Sequence, residues 1–541
     1  MDSLKKTIMY VFNDSSLGGA AQSLMDTLKD MGEEIRPIVV MREGIKIKDR
    51  FEALGICCYE IPFFTDQIKM GNVTKEKRES DFKQSYEAAT KLIYVIEKEK
   101  VQLIHINSSI SYFAAIAALM AEVPYVWHIR EIMDEHYGCE SLNNGLKQYL
   151  YEQSDKLIAI SDYVQKMYYD KYKMTTQRIY NGLVIQRYKQ DIDMNKSFHS
   201  IFLIAAVIMP QKGQWDAIKA VELLINKGHK DVKLIIVGEG EERYVWALKK
   251  YIKKQNLSNN VVILPFHSDL SELRESVSYA LTCSQSEALG RVTIESMLAG
   301  NLVIGARSGG TIEIVGENEE RGFLYELHNS RDLANTMMKA IQCPEDMKIK
   351  MLKDAQIYAE KTFDSKEYCV ELSGIYNQVI SSYKTKIHED FLYQLKERYN
   401  LISNKTVFTC QENDTRLLRS QIAFTLATRW LSIKQKGYNL EEYFVRHNIR
   451  SIAIYGMALL GCRLYDELED GTVDIRYLID KNPGVMKTVL SFAEFKEHIL
   501  DIDAIVVTVA AAEKEVISEI KKMGYGTVIG LSEVLDELYI M

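Results

Sequence analysis

Three times along its length the chain runs from a short apolar segment through a glycine-bearing loop into a helical stretch, an order that confines it to parallel α/β sheets. The first series opens with Thr7 to Phe12, a loop from Asn13 to Gly19, and helical spacing from Ala20 to Met31. Strand-like runs recur at Glu34 to Val40, Leu103 to Asn107, Tyr125 to Ile129 and Leu157 to Ile160, each followed by helical periodicity. A second series begins at Ile201 and continues through Val232 to Val237, Val261 to Pro265, Tyr279 to Cys283 and Leu302 to Ala306. A third, smaller one opens with Ser451 to Gly456 and continues through Val473 to Asp480 and Ala504 to Thr508. Between Ser382 and Asn448 the chain is rich in Leu, Arg, Lys, Gln and Glu with few breakers, which predicts helical connectors. The expected division is 1–195, 196–382 with its last helix a candidate to cross back to the first domain, 383–448 as connector, and 449–541. Two large sheet domains in tandem leave a cleft between them.

Charge and cysteine usage narrow the chemistry. A net charge of −8 argues against a general nucleic-acid binder, so any anion site must be local. The eight cysteines form no C-x-x-C pair, which disfavours a zinc site or a disulfide framework and fits a reducing cytoplasm. Met1 to Asp14 has only a strand-length apolar run, not the pattern of a signal peptide, and Ile201 to Pro210 is too short to span a bilayer.

Ser284 to Gly300 carries the clearest chemistry, with Glu287 and Glu295 eight positions apart around Gly290. Gly290 is expected where a buried strand gives way to a helix, so free backbone N–H groups there can face an anion. Glu287 then lies in the loop beside the bound group, and Glu295 sits about one and a half turns into the helix, placed to accept hydrogen bonds from hydroxyls. A solvated acidic loop is the plain alternative. Three further glycine turns fall at strand ends: Gly18-Gly19, Lys212-Gly213 and Gly309-Gly310. At such turns a ligand can approach the backbone closely, and Lys212 can act as a point charge for a diphosphate. His128 and Arg130 alternate onto one side of a strand near its carboxyl end, where both can face the cleft. A structural His and a structural Arg–Glu pair are the alternatives. Asp191-Ile192-Asp193 and Asp501-Ile502-Asp503 spell a metal-binding Asp-x-Asp, but their settings read as chance.

The ordered set Gly18-Gly19-Ala20, Ile160-Ser161, Tyr180-Asn181-Gly182, Pro210 to Gly213, Val237 to Gly240, Ser284 to Gly300 and Gly309-Gly310-Thr311 resembles the retaining glycosyltransferases of family 4. The resemblance covers about residues 5 to 380. It implies the GT-B fold, two Rossmann-like domains facing a cleft, here followed by a helical connector and a third small Rossmann-like domain. It also implies an acceptor-side domain at 1–195, a donor-binding domain at 196–382, and metal-independent transfer from a nucleotide-diphosphate sugar with no cofactor required. By resemblance Glu295 binds the donor ribose and Glu287 lies by the donor sugar. Backbone N–H groups of Leu289, Gly290 and Arg291 meet sugar and diphosphate, and Pro265 and Phe266 border the base. The expected donor set is completed by Gly18, Gly19, Lys212, Gly309 and Gly310, and the catalytic candidates are Glu287, Lys212, His128 and Arg130. The implied partner is a glycan or lipid-linked acceptor in cell-surface polysaccharide synthesis, with no nucleic acid; a non-catalytic sugar-nucleotide-binding or scaffold protein of this fold is the alternative.

Two departures stand out. Val207 occupies the position of the family's diphosphate-binding arginine, which leaves Arg291 as candidate replacement, and the family's strand-end His-Asp is Arg130-Glu131 here, with His128 two residues earlier. In the tail, Gly456-Met457-Ala458-Leu459-Leu460-Gly461 followed by Asp480 looks like a dinucleotide-binding turn, with Ala458 crowding a pyrophosphate. Phe63 and Phe64 with Lys69, Lys75, Lys77, Arg78 and Lys83 are a candidate peripheral membrane contact at the inner face of the membrane, but Glu76, Glu79 and Asp81 interrupt it and a solvated face is the plainer reading.

Overall fold

The computed structural model describes residues 5–12, 19–45, 47–192, 197–384, 388–405, 425–481, 489–491, 494–495, 501–509 and 512–540. The loop that contains Gly18, together with Asp193, lies outside the described residues.

The three series form three parallel sheets. The first runs in the spatial order Cys57–Ile61, Ile35–Arg42, Lys6–Phe12, Leu103–Ile106, Tyr125–Ile129, Lys156–Ala159, Gln177–Arg178. The second runs Val261–Leu264, Lys233–Val237, Ile201–Ala205, Tyr279–Thr282, Leu302–Ala306, Phe323–Tyr325. The third runs Leu490–Ser491, Asp474–Asp480, Ser451–Tyr455, Ala504–Val507, Thr527–Gly530. In each, strand order reverses beside the strand that opens the series. Such a reversal makes a crevice at the carboxyl ends of the strands, and ligands of open α/β sheets bind there.

Burial on both faces explains why the strands read as continuous apolar runs rather than alternating ones. Along the first strand Ile8, Tyr10 and Phe12 enter one core cluster while Met9 and Val11 enter the other, following the two-residue period. The cluster of Met9 and Val11 continues into Ala288, Leu289, Ile294 and Met297, so the cores of the first two sheets merge at the start of the Arg291–Leu298 helix.

The chain crosses between these sheets twice, side by side. Leu183 N donates to Phe363 O (2.7 Å) and Ser365 N donates to Leu183 O (3.0 Å). Beyond the second crossing, the Ser365–Ser382 helix packs on the first sheet and buries Tyr368, Leu372, Ile375, Tyr376 and Val379 there. Each such apolar side chain contributes roughly 1.5–3 kcal/mol, so this face anchors the helix away from the sheet that precedes it in sequence.

The chain forms two compact units. The first contains Met1–Val207, Gln211–Glu239 and Leu257–Val407, with both large sheets. Its Glu389–Lys405 helix lies on the Lys75–Glu99 helix, where Tyr399 stacks on Tyr86 at 4.6 Å and the Arg398 guanidinium sits 4.1 Å over the Phe82 ring. The second unit contains Ile208–Pro210, Gly240–Asn256 and Phe408–Met541, with the third sheet. The Glu242–Lys254 helix belongs to this unit: its Trp246 indole donates to Asp466 (2.6 Å), and Lys250 lies 4.0 Å over the Tyr465 ring. Phe63 is buried while Phe64 is exposed, which divides the expected aromatic pair. Among the described residues no helix is long and apolar enough to cross a membrane.

The double crossing leaves no space at Gly182, where a Cβ would lie 2.6 Å from Ser365 Cα. Gly182→Ala is therefore expected to lower the apparent Tm, at a cost of about 1–3 kcal/mol. Gly374, inside the Ser365–Ser382 helix with nothing within 4 Å of a new Cβ, is the control: Gly374→Ala should hold or raise Tm, by about 0.5–1 kcal/mol. Calorimetry on both variants checks the pair.

Candidate functional site

The loop from Cys283 to Gly290 joins the Tyr279–Thr282 strand to the Arg291–Leu298 helix. Gly290 caps that helix at φ +96°, a left-handed conformation that glycine adopts without penalty. No side chain caps the helix, so its first N–H groups remain available to an anion. Three neighbours hold the loop's main chain. Gln285 N donates to Gln211 O (2.7 Å), the Ser308 hydroxyl donates to Gln285 O, and Gly310 N donates to Glu287 O (2.7 Å). A Cβ on Gly309 would stand 2.7 Å from both Glu287 N and Glu287 O, so the double glycine permits the close approach that seats the loop.

Lys212 ends the Pro210–Lys212 turn, and Gly213 after it is pressed against Cys283, with room for no Cβ within 2.1 Å of Cys283 O. This contact brings the Lys212 ammonium to 2.6 Å from Glu287 Oε1, which also accepts from the Ser284 hydroxyl (2.5 Å). Both partners are partly exposed, so their charges can be exchanged for those of a ligand. Pro265 and Phe266 follow the Val261–Leu264 strand and are exposed at its carboxyl end.

Glu295 belongs to a drier network. It accepts from Arg274 Nη2 (2.5 Å) and Arg291 Nε (2.9 Å), and Arg274 is 3% exposed. Arg291 reaches onward to the Tyr188 hydroxyl (3.0 Å) and to Asp26 Oδ2 (3.2 Å) on the Gly19–Asp30 helix of the first sheet domain. Asp26 is 1% exposed and also accepts from Arg187 (3.1 Å) and Gln22 (2.7 Å). Arg291 Nε and Nη2 are engaged by Glu295, Tyr188 and Asp26, while its buried Nη1 has no hydrogen-bond partner. Val207, the residue in place of the arginine, is exposed.

His128 and Arg130 also differ from expectation. They share a strand face, but the crossing Ser365–Ser382 helix covers it and neither faces an open cleft. His128 is 0% exposed, with its ring 6.4 Å from that of Tyr368 and 5.3 Å from that of His105. Burial first, and the Arg130 charge second, push its pKa well below the ordinary histidine value. The same two effects lower His105 to about 3, so both rings are neutral there. Arg130 donates to Asn107 Oδ1 (3.0 Å) and Asn181 Oδ1 (2.8 Å), which ties the strand to the first crossing. Glu131 accepts from the Ser108 hydroxyl (2.5 Å) and from Ser109 N (2.6 Å).

Several contacts between the two sheet domains were not anticipated. The Ser161 hydroxyl donates to Ala288 O, and Ser286 Oγ lies 3.2 Å from the Tyr163 hydroxyl, which donates to Glu135. Glu313 accepts from Asp162 N (3.0 Å), Tyr163 N (3.2 Å) and the Tyr180 hydroxyl. Ser161 and Tyr180 sit in segments that the sequence marks, and Glu313 lies two residues beyond Gly309-Gly310-Thr311, but pairing them requires the fold. Gly19 opens its helix as expected. No cluster of potential metal ligands is present among the described residues.

Within the second unit the tail's turn closes on itself. Gly456 has φ +100°, Met457 N donates to Asp480 Oδ2 (2.8 Å), and Arg243 Nη2 stands 3.4 Å from the same oxygen. Asp480, the ribose-contact candidate by spacing, is thus engaged by its own chain.

Residues 19–187 match the family described as Glycosyltransferase Family 4, and residues 189–362 match Glycosyl transferases group 1. The chain is 23% identical to N-acetyl-alpha-D-glucosaminyl L-malate synthase of Bacillus anthracis, over 56% of this chain and 78% of that protein. It is 21% identical to the capsular polysaccharide biosynthesis glycosyltransferase CapH of Staphylococcus aureus, over 62% of this chain and 90% of that one. The crystal structure of Anabaena Alr3699/HepE in complex with UDP and glucose superposes with a TM-score of 0.58 at 24% identity, over 69% of this chain and 100% of that chain. Two successive glycosyltransferase domains on two parallel sheets that meet at the Glu287 loop make this chain a glycosyltransferase of the GT-B type.

Proposed function

We propose that the chain moves a sugar from a nucleotide-diphosphate sugar to an acceptor hydroxyl with retention at the anomeric carbon, in the assembly of a cell-surface glycan or polysaccharide. The observation that carries this reading is the Lys212–Glu287 pair, 2.6 Å apart at the uncapped start of the Arg291–Leu298 helix. Departure of a nucleoside diphosphate leaves negative charge, and an ammonium beside aligned N–H groups stabilises it without a metal ion. In this reading the diphosphate displaces Glu287 as partner of Lys212, and the released carboxylate turns to the hydroxyls of the donor sugar. Glu295, held by Arg274 and Arg291, presents its remaining lone pairs to the ribose. The acceptor hydroxyl attacks from the leaving-group face and its proton passes to the departing phosphate, so no protein base is assigned. His128 and Arg130 are left out of the chemical step; they fix the first domain beneath the crossing helix.

The UDP held by the Alr3699/HepE structure supports a UDP-sugar as donor, and the name of CapH supports a polysaccharide acceptor. We place donor binding in 196–382, acceptor binding in 1–195, and the work at the cytoplasmic face of the membrane, with 449–541 as an accessory domain. A non-catalytic sugar-nucleotide binder is the alternative, favoured by Val207 and by the buried His128 two residues before the family's strand-end position, and turnover separates the two.

Three outcomes are expected. UDP-glucose or UDP-N-acetylglucosamine at 100 times its Kd should stabilise the full chain by about 2.7 kcal/mol, read as a rise in Tm; a flat response to every UDP-sugar counts against the donor assignment. Lys212→Ala and Glu287→Ala should each lower kcat/KM for transfer by roughly 10- to 150-fold, the equivalent of one charge-assisted hydrogen bond. Unchanged turnover in both would place the site elsewhere. Glu295→Gln should chiefly weaken nucleotide binding, with a raised Kd for UDP measured by calorimetry.

A further inference from the structure

The Asp162–Tyr172 helix of the first sheet domain starts at the boundary with the second, and the second domain supplies part of its cap. Ser161 accepts from Val164 N (3.1 Å) while donating its own proton to Ala288 O, one residue from Glu287. The next two N–H groups, of Asp162 and Tyr163, point to the two oxygens of Glu313, at 3.0 and 3.2 Å. A carboxylate at a helix N-terminus accepts otherwise unpaired donors and meets the positive end of the helix dipole. The Tyr180 hydroxyl, from the segment that leads into the first crossing, donates to Glu313 as well. Arg178 lies 4.1 Å over the Tyr180 ring and pairs with Asp162 at 3.1 Å, which closes the surroundings on the first-domain side. On the second-domain side Arg321 donates to Ile314 O (2.7 Å) and Glu313 O (3.2 Å), and its guanidinium sits 3.9 Å over Tyr358.

Glu313 stands on the Gly309–Val315 helix, and Gly310 of the same helix donates to Glu287 O. The element that seats the Glu287 loop is therefore the element that grips the first domain. We propose that Glu313 is a positioning residue for transfer: by capping the Asp162–Tyr172 helix across the domain boundary, it couples closure of the two sheet domains to the placement of Glu287. An open arrangement, with Glu313 withdrawn, leaves the Asp162 and Tyr163 N–H groups without this acceptor and the Glu287 loop without Ser161. Closure restores both at once. The carboxylate oxygens of Glu313 themselves accept from first-domain donors.

This inference rests on the transfer reading, and the test separates the two. In the full chain, Glu313→Ala is expected to lower kcat for transfer by roughly 10- to 100-fold, with the Kd for UDP within twofold of the parent. Glu313→Gln keeps a carbonyl acceptor for one N–H and should recover most of the lost kcat. Tyr180→Phe, which deletes one donor and leaves the fold intact, should give a smaller drop in kcat in the same direction. Small-angle scattering should show a larger radius of gyration for Glu313→Ala than for the parent chain without nucleotide. An unchanged kcat and radius in Glu313→Ala overturn the clasp. So does a fall in kcat accompanied by an equal loss of UDP affinity that Gln fails to rescue, because that pattern is general damage. If the parent chain shows neither transfer nor UDP binding, the proposed function fails, and the scattering comparison still decides the clasp.

Discussion

Two backbone hydrogen bonds, Leu183 N to Phe363 O and Ser365 N to Leu183 O, hold the two passages between the large sheets side by side. Much of the two-sheet unit depends on that pairing. It fixes where the Ser365–Ser382 helix begins, and that helix then covers His105, His128 and Arg130 and completes the first sheet's core. Gly182 is required because the second passage lies against its α-carbon.

The two glutamates that look alike in sequence have different electrostatic lives. Glu287 is partly exposed and pairs with Lys212, whereas Glu295 is clamped by two guanidinium groups in a nearly dry network. Breaking a buried, hydrogen-bonded ion pair costs far more than breaking an exposed one. On the proposed function, rearrangement on ligand binding therefore falls to the Lys212 side, while the Arg274–Glu295–Arg291–Asp26 chain keeps its geometry and joins the domains.

The strands were legible because most are apolar on both faces, and several, such as Ile201–Ala205, Tyr279–Thr282 and Leu302–Ala306, lead into glycine turns. Strands that escaped notice, such as Cys57–Ile61, Phe323–Tyr325 and Thr527–Gly530, are short and lie at or next to a sheet edge, and Cys57–Ile61 carries Glu60 and an exposed Cys57, which break the apolar signal. The Glu287 loop, the Gly290 turn and Lys212 came together as their positions at strand ends required. His128 and Arg130 did not reach the cleft because their cover lies more than two hundred residues downstream, beyond any local pattern. The direction of Arg291 was equally hidden, since it is set by Asp26 on another domain. Gly309-Gly310 was recognised as a turn, yet its tight fit under Glu287 is visible only in three dimensions.

The tethering of the Glu287 loop bears on how the enzyme resets between cycles. With Gln285, Glu287 and Ser308 all fixed through main-chain partners, the segment has no refolding to do when product leaves. In the proposed reaction the ammonium of Lys212 passes between a carboxylate and a phosphate by rotation of side chains, an event of picoseconds to nanoseconds for groups that reach water. On the proposed mechanism, recovery of the resting site is fast on the scale of catalysis, and any slow step lies outside this loop.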